Sequence, residues 1–427
     1  MISHFRIRSF CSAFWRRSFT LRKRLNPPRR VKAEVKMSTH NYITELNTPG
    51  VNPTYKRVVR QLVTPLLQKN LPVILSLKHL SVLLDIPYIV VHKIVYRDGD
   101  FYKVFAIKKR SGGKRWITIP DYFLMKAQKW INNNILNAQE AQAMLSINST
   151  AYKKKSSHIV NASMHLGEKQ LIKLDILRFF ESISERQVFN VFKKLGYKNS
   201  VSLILARICT RVIPIHLDKR FIKNEQRWTT KYNYKYDQQK NKIKRIGHLP
   251  QGAPTSPALA NFVCCNLDAD IEDLIDQFNL NSYTRYADDI IISGNFQDKN
   301  TAISCIFRVS RILRNYGFKT NYLKTKYCGS GDRKIVTGIC INDENQLRVP
   351  IEYKNKIRQE IYYIDKFGLL NHCERLNISN PLNYLMRLEG KINYIKTVEL
   401  DKGIYFMNKL EKAIPNMNEI RLLNDLP

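Results

Sequence analysis

Three aspartates in this chain could do chemistry together. Asp288 and Asp289 are adjacent in Tyr286-Ala287-Asp288-Asp289, between residues 283–285 and the run Ile290-Ile291-Ile292. Apolar residues on both sides predict a buried β-hairpin whose turn presents two carboxylates. Like charges this close repel, so each tends to keep its proton unless a cation intervenes. Alone, the pair is weak evidence, because acids are common in turns. Asp175 adds a third carboxylate at the end of the short apolar run Gln170-Leu171-Ile172-Lys173-Leu174-Asp175, followed by Ile176 and by Phe179-Phe180. Such a set suits two divalent cations roughly 3.5–4 Å apart, clamping the attacking and leaving oxygens of a transfer at phosphorus. Mg²⁺ favours carboxylate oxygen plus water and substrate phosphate. Catalysis of that kind is mainly positioning and charge stabilisation.

The elements that must position these groups can be read around them. Phe101, Val104, Phe105 and Ile107 lead into Lys108-Lys109-Arg110-Ser111-Gly112-Gly113-Lys114-Arg115, and Trp116, Ile117, Ile119 and Pro120 follow. This predicts a hairpin with a cationic, Gly-containing tip. Between the first Asp and the pair lies Leu249-Pro250-Gln251-Gly252-Ala253-Pro254-Thr255-Ser256-Pro257. Gly252 allows close approach of backbone to a substrate, and Gln251 offers an amide beside it. By itself this is a turn before a helix; placed between Asp175 and Tyr286, it reads as a nucleotide platform. Helical spacing is predicted over 55–68, 77–84, 124–136, 188–195, 201–213, 253–276 and 302–316. Three short strands precede Pro350, and 351–412 is again helical.

Charge points to the partner. The chain has 71 Lys+Arg against 35 Asp+Glu, a formal +36 over 427 residues. An excess this large suits a polyanion, with nucleic acid first and an anionic membrane second. No apolar run reaches the ~18 residues of a membrane span, and no amphipathic helix with a lipid-like face accompanies the charge. The eight cysteines form no C-x-x-C and show no zinc spacing, which fits a reducing cytoplasm.

Two basic blocks stand out. Residues 1–36 carry eleven Lys/Arg and one acid, Glu34. A basic RNA-binding arm, an organelle presequence and an untranslated stretch before a start at Met37 all fit, and the last is favoured because ordinary patterning begins after Met37. Residues 211–246 hold eleven Lys/Arg against three acids, with Phe221, Trp228, Tyr232, Tyr234 and Tyr236 interleaved. That pattern suits backbone contact plus base stacking; a solvated insertion fits equally.

In order, the basic hairpin, L-D-x-x-x-F-F, L-P-Q-G-A-P-T-S-P and Y-A-D-D resemble the fingers and palm of reverse transcriptases. More narrowly they resemble the bacterial retron reverse transcriptases, through Asn161-Ala162-Ser163-Met164-His165 (N-A-x-x-H) and Val336-Thr337-Gly338 (V-T-G). The resemblance covers residues 60–415. It implies an α+β right-hand polymerase fold with fingers, an antiparallel palm sheet and a helical thumb. The expected divisions are a basic segment 1–36, a helical region 37–100, fingers and palm 101–345, and an RNA-binding thumb 346–427. Asp175, Asp288 and Asp289 would bind two Mg²⁺ ions, with Mn²⁺ able to replace them in vitro, and the Ile176 carbonyl would assist. Phe180 would be the bulky gate against a ribose 2′-OH, and Gln251 and Gly252 would face the incoming dNTP. Lys109 and Arg115 would hold its triphosphate, and Lys324 would protonate the leaving pyrophosphate. For each basic residue, plain phosphate-backbone contact fits as well.

The resemblance also implies partners: a cognate structured noncoding RNA as template and primer, a branched RNA–DNA product (msDNA) begun at a guanosine 2′-OH, and an effector or toxin protein in anti-phage defence. Asn161, His165, Val336, Thr337 and Gly338 are candidates for RNA recognition; Asn161 and His165 fit a purely structural role equally. Arg178 stands where related motifs carry an acid, and the 211–246 block is long for a retron form. Other bacterial reverse transcriptases, of group II intron or abortive-infection type, and an inactive RNA-binding protein on the same scaffold are the alternatives.

Overall fold

The computed structural model describes residues 52–108, 112–212, 246–343 and 345–414. The 1–36 segment, Lys109 and nearly all of the 211–246 block lie outside the described residues. Helices α1 (Pro53–Gln68), α2 (Leu77–Leu84) and α3 (Tyr88–Tyr96) come first. Ser76 caps α2 by accepting the amide of His79, satisfying a donor that the first turn leaves free. Strands β1 (Tyr102–Lys108) and β2 (Lys114–Pro120) then pair as an antiparallel hairpin, with Tyr102 opposite Pro120 and Lys108 opposite Lys114.

Helix α4 (Tyr122–Ile131) runs into a π-helical turn, Asn132–Leu136, and the short helices α5 (Gln139–Gln142) and α6 (His158–Ser163) follow. After β3 (Gln170–Asp175) come α7 (Glu185–Leu195) and α8 (Asn199–Cys209). A reciprocal capping box between Ser184 and Gln187 starts α7, and Gly196, at φ +113°, ends it. Sequence spacing extends α8 to residue 213, but the helix stops at Cys209. Arg211 there exchanges backbone hydrogen bonds with His248 at 2.9 and 3.0 Å. Its guanidinium also forks onto Asp100. These tertiary bonds outweigh one more helical turn.

Helix α9 (Ser256–Gln277) leads into β4 (Ser282–Tyr286) and β5 (Asp289–Gly294), then α10 (Lys299–Asn315), β6 (Lys326–Cys328), β7 (Ile335–Val336) and β8 (Ile339–Cys340). The central sheet has the order β4-β5-β3-β6, all antiparallel. Helix α9 packs against β4, and α10 against β3. This cover explains why β5 reads Ile-Ile-Ile instead of alternating: Ile290, Ile291 and Ile292 are all fully buried.

Four helices close the described chain: α11 (Ile351–Phe367), α12 (Leu369–Arg375), α13 (Pro381–Val398) and α14 (Leu400–Ala413). Ile357, Ile361 and Ile364 on α11 meet Leu388, Ile392 and Ile395 on α13 in one core. Their spacing of three and four residues is that of a single helical face, and each such side chain contributes roughly 1.5–3 kcal/mol on burial. The molecule is thus a mixed α+β right hand: hairpin fingers, antiparallel palm, helical thumb. Among the described residues, no single helix is long and apolar enough to cross a membrane.

Candidate active site

The three aspartates lie at adjoining strand ends. Asp175 is the last residue of β3 and faces Asp289, the first of β5, in register. Tyr286 pairs with Asp289 across the β4–β5 turn, leaving Ala287 and Asp288 at its tip. Ala287 takes φ +57° and is buried, a left-handed conformation that keeps the turn tight. The Ile176 amide donates to the Asp288 carbonyl at 2.9 Å, tying the two strand ends together.

Cations already attend these carboxylates. Asp175 accepts from Lys324 Nζ at 2.7 Å on one oxygen and from Asn321 Nδ2 at 2.8 Å on the other. Lys173 reaches Asp289 at 3.2 Å. Burial, then Asp289 and Asp175, push the Asp288 carboxyl up from its ordinary value. The hydrogen bond to Asp175 raises Lys324 in turn, so that ammonium keeps its proton.

Among the described residues no three Asp, Glu, His or Cys side chains form a ready-made metal cage. The carboxylate oxygens of Asp175, Asp288 and Asp289, with Asp288 raised by burial and then by its acidic neighbours, are hard donors that fit a divalent ion.

The other candidates take the following places. Phe180, partly buried, opens a 3₁₀ turn directly after β3, its ring 5.4 Å from that of Phe179. Arg115 is exposed at the start of β2. The Gln251 carbonyl accepts the Thr118 amide at 2.7 Å, fastening the Gln251-Gly252 loop to β2. Gly252 packs tightly against that hairpin. At φ +113° a Cβ would lie 2.9 Å from Ile117 Cγ2 and 3.0 Å from the Thr118 carbonyl. The close approach it permits within the fold is to the fingers hairpin.

The N-A-x-x-H and V-T-G segments come together inside the molecule. Asn161 and His165 are both fully buried, so as folded neither offers its side chain to an RNA. His165 bridges the catalytic hairpin, with Nδ1 2.7 Å from Ser293 Oγ and Nε2 2.7 Å from Thr284 Oγ1. Asn161 accepts from Thr150 Oγ1 at 2.7 Å. Val336 is buried in a cluster with Ala162, Leu171, Ile291, Ile339 and Ile341, against which Val398 of the thumb packs. Thr337 Oγ1 donates to the His158 carbonyl at 2.8 Å, and the His158 ring stacks on Tyr394 of α13 at 5.6 Å. Gly338 alone of the five is exposed.

Sequence reading missed the group that steadies the hairpin. Arg285 is wholly buried and forks onto Asp268 of α9, Nε to Oδ1 at 2.7 Å and Nη2 to Oδ2 at 2.8 Å. It also donates to Ser149 Oγ, Asn261 Oδ1 and the Ala287 carbonyl. Its only sequence signal is that it is the one charged residue in a strand otherwise made of Ser282, Tyr283, Thr284 and Tyr286.

A palm sheet carrying carboxylates on adjoining strand ends, in a chain that also bears a basic hairpin, is the frame of a template-directed polymerase. The reverse transcriptase (RNA-dependent DNA polymerase) family matches residues 107–355, and the chain belongs to that family. Its activity is RNA-directed DNA polymerisation, a reaction that the family supports with divalent metal ions. The Retron Ec86 reverse transcriptase of Escherichia coli is 28% identical over 349 residues, 80% of this chain and 94% of that one. The Retron Mx162 reverse transcriptase of Myxococcus xanthus is 29% identical over 72% of this chain and 60% of its own length. The Retron Ec73 reverse transcriptase of E. coli is 29% identical over 68% and 84%. Within its family the chain falls with the retron reverse transcriptases, and its partners accordingly include an RNA template and a DNA product.

Proposed function

We propose that this protein copies a cognate structured noncoding RNA into branched, RNA-linked single-stranded DNA, msDNA, in the cytoplasm. We further assign that product to an anti-phage defence system containing an effector or toxin protein. The observation that carries the polymerase part is the junction of Asp175, Asp288 and Asp289 at paired strand ends. In this reading residues 37–100 form the helical lead-in, 101–345 the fingers and palm, and 346–427 the RNA-binding thumb.

Asp175, Asp288 and Asp289, with the Ile176 carbonyl, would hold two Mg²⁺ ions. When bound, such ions activate the primer hydroxyl and offset the triphosphate charge. The chain's own groups do the rest. Lys109 and Arg115 draw in the triphosphate of the dNTP. Gln251 orients the nucleotide from a loop fastened to β2. Phe180 excludes a 2′-OH by bulk. Lys324, protonated and largely exposed, hands its proton to the departing pyrophosphate. The Asn161–His165 segment acts on the hairpin from beneath, and the exposed Gly338 turn is the part of V-T-G open to RNA.

The test uses total nucleic acid from cells carrying the gene with its native upstream region. A short DNA whose mobility shifts on RNase treatment, present with wild type and absent with Asp288→Ala/Asp289→Ala, supports both the polymerase and the msDNA assignment. If no such species forms but purified protein copies a primed RNA, the polymerase stands and the msDNA assignment falls.

A further inference from the structure

Residue 152 joins the catalytic hairpin through its neighbours. Ser149 forms a parallel bridge with Arg285. The Arg285 amide donates to the Asn148 carbonyl at 2.8 Å, and the Thr150 amide donates to the Arg285 carbonyl at 3.0 Å. The Ala151 carbonyl accepts Asn261 Nδ2 at 2.7 Å, and Asn261 also accepts from Arg285. On the far side, Ser156 Oγ closes back onto the Thr150 carbonyl at 2.7 Å. The backbone at Tyr152 is therefore set relative to a residue three positions before Asp288.

That backbone is held in an unfavourable state. Tyr152 takes φ +57°, the left-handed region where a bulky residue is an outlier. Strain of this kind persists only where the surroundings impose it, and it gathers at functional sites. Yet the ring does not fill the core: Tyr152 is 49% exposed. Its centroid lies 6.3 Å from that of Phe180, beside the Asp288 turn. Burial of the phenol raises its pKa, Asp288 and Tyr286 add to the rise and Arg115 opposes it. A half-open aromatic ring thus stands among the proposed sugar gate, a proposed metal ligand and a proposed triphosphate ligand.

We infer that Tyr152 touches the incoming nucleotide and, opposite Phe180, forms the second wall of an aromatic notch that receives its sugar and base. This rests on the nucleotide-site reading given above. A flat, partly exposed ring offers stacking and steric contact without sequence preference, which a site accepting four different nucleotides needs. The bonds around Tyr152 fix where its Cα–Cβ bond points before the nucleotide arrives, so less ordering is left for the binding step.

The test is single-nucleotide addition to a DNA primer on an RNA template, with a dNTP and with the matching rNTP. Wild type is compared with Tyr152→Phe, Tyr152→Asn and Asp288→Ala. Asn tolerates the left-handed conformation, so Tyr152→Asn removes the ring while suiting the fold. We expect Tyr152→Asn to raise KM for the dNTP about tenfold or more, with kcat changed far less and discrimination against the rNTP altered. Tyr152→Phe keeps the wild-type KM. A Tyr152→Asn enzyme with wild-type KM and discrimination overturns the inference, as does loss of kcat alone at unchanged KM. If Asp288→Ala retains activity, the site reading itself fails, which is a distinguishable result.

Discussion

Arg285 and Asp268 meet inside the palm with neither side chain exposed to solvent. The pair joins strand β4 of the catalytic hairpin to helix α9, and Tyr283 adds its hydroxyl to the same carboxylate at 2.8 Å. Although burial works against its charge, the guanidinium is held well above its ordinary pKa by Asp268. Removing one partner strands the other's charge. Asp268→Ala should therefore cost about 3–5 kcal/mol in chemical denaturation. The double variant Arg285→Met/Asp268→Leu should lose less than either single change and still polymerise poorly, because the Ala287 carbonyl loses its anchor.

Metal dependence should follow the incomplete cage. Chelation should abolish nucleotide incorporation, and Mg²⁺ should restore it, with Mn²⁺ a working substitute. Calorimetry should find weak Mg²⁺ binding to the free protein and markedly tighter binding with a primed template and dNTP, since substrate phosphates complete the coordination. Tight binding to the free protein would contradict the arrangement described here.

His165 sets an acid limit on the fold. Burial pulls its pKa down from 6.5 to about 3. Above pH 6.5 it is neutral folded or unfolded. Between 6.5 and 3 only the unfolded chain takes up the proton, so stability falls as pH falls, by about 1.4 kcal/mol per pH unit for this group. Denaturation midpoints measured from pH 7.5 to 5 should decline less steeply in His165→Gln than in wild type. His248, lowered to about 3 as well, still contributes to the slope in that variant.

Gly252→Ala should destabilise by about 1–3 kcal/mol, given its φ and the 2.9 Å contact with Ile117. Because this loop braces β2, the variant should also raise KM for the dNTP. Thermal melting and nucleotide titration measure the two effects separately.

Much of this was legible in the residues. The three-Ile strand beside Asp288-Asp289, the apolar run ending in Asp175 and the Gly-tipped basic hairpin each carry a local signature, because burial and turn chemistry write themselves into neighbouring positions. Partnerships across the fold leave no such mark. Asp268 sits in a helix with Asp270, Glu272, Asp273 and Asp276, and nothing nearby says that it alone is buried. Tyr152 precedes three lysines and reads as loop; its neighbours are held by bonds to Asn261 and Arg285, more than 100 positions away. Asn161 and His165 stood out by type, but their burial depends on which sheet lies over them.

The cluster beneath the V-T-G turn has a mechanical meaning. It contains Ile291 of the catalytic strand and Val336, and Val398 at the end of α13 packs against it. The palm's working edge and the thumb thus share one close-packed fulcrum, and such interiors yield little.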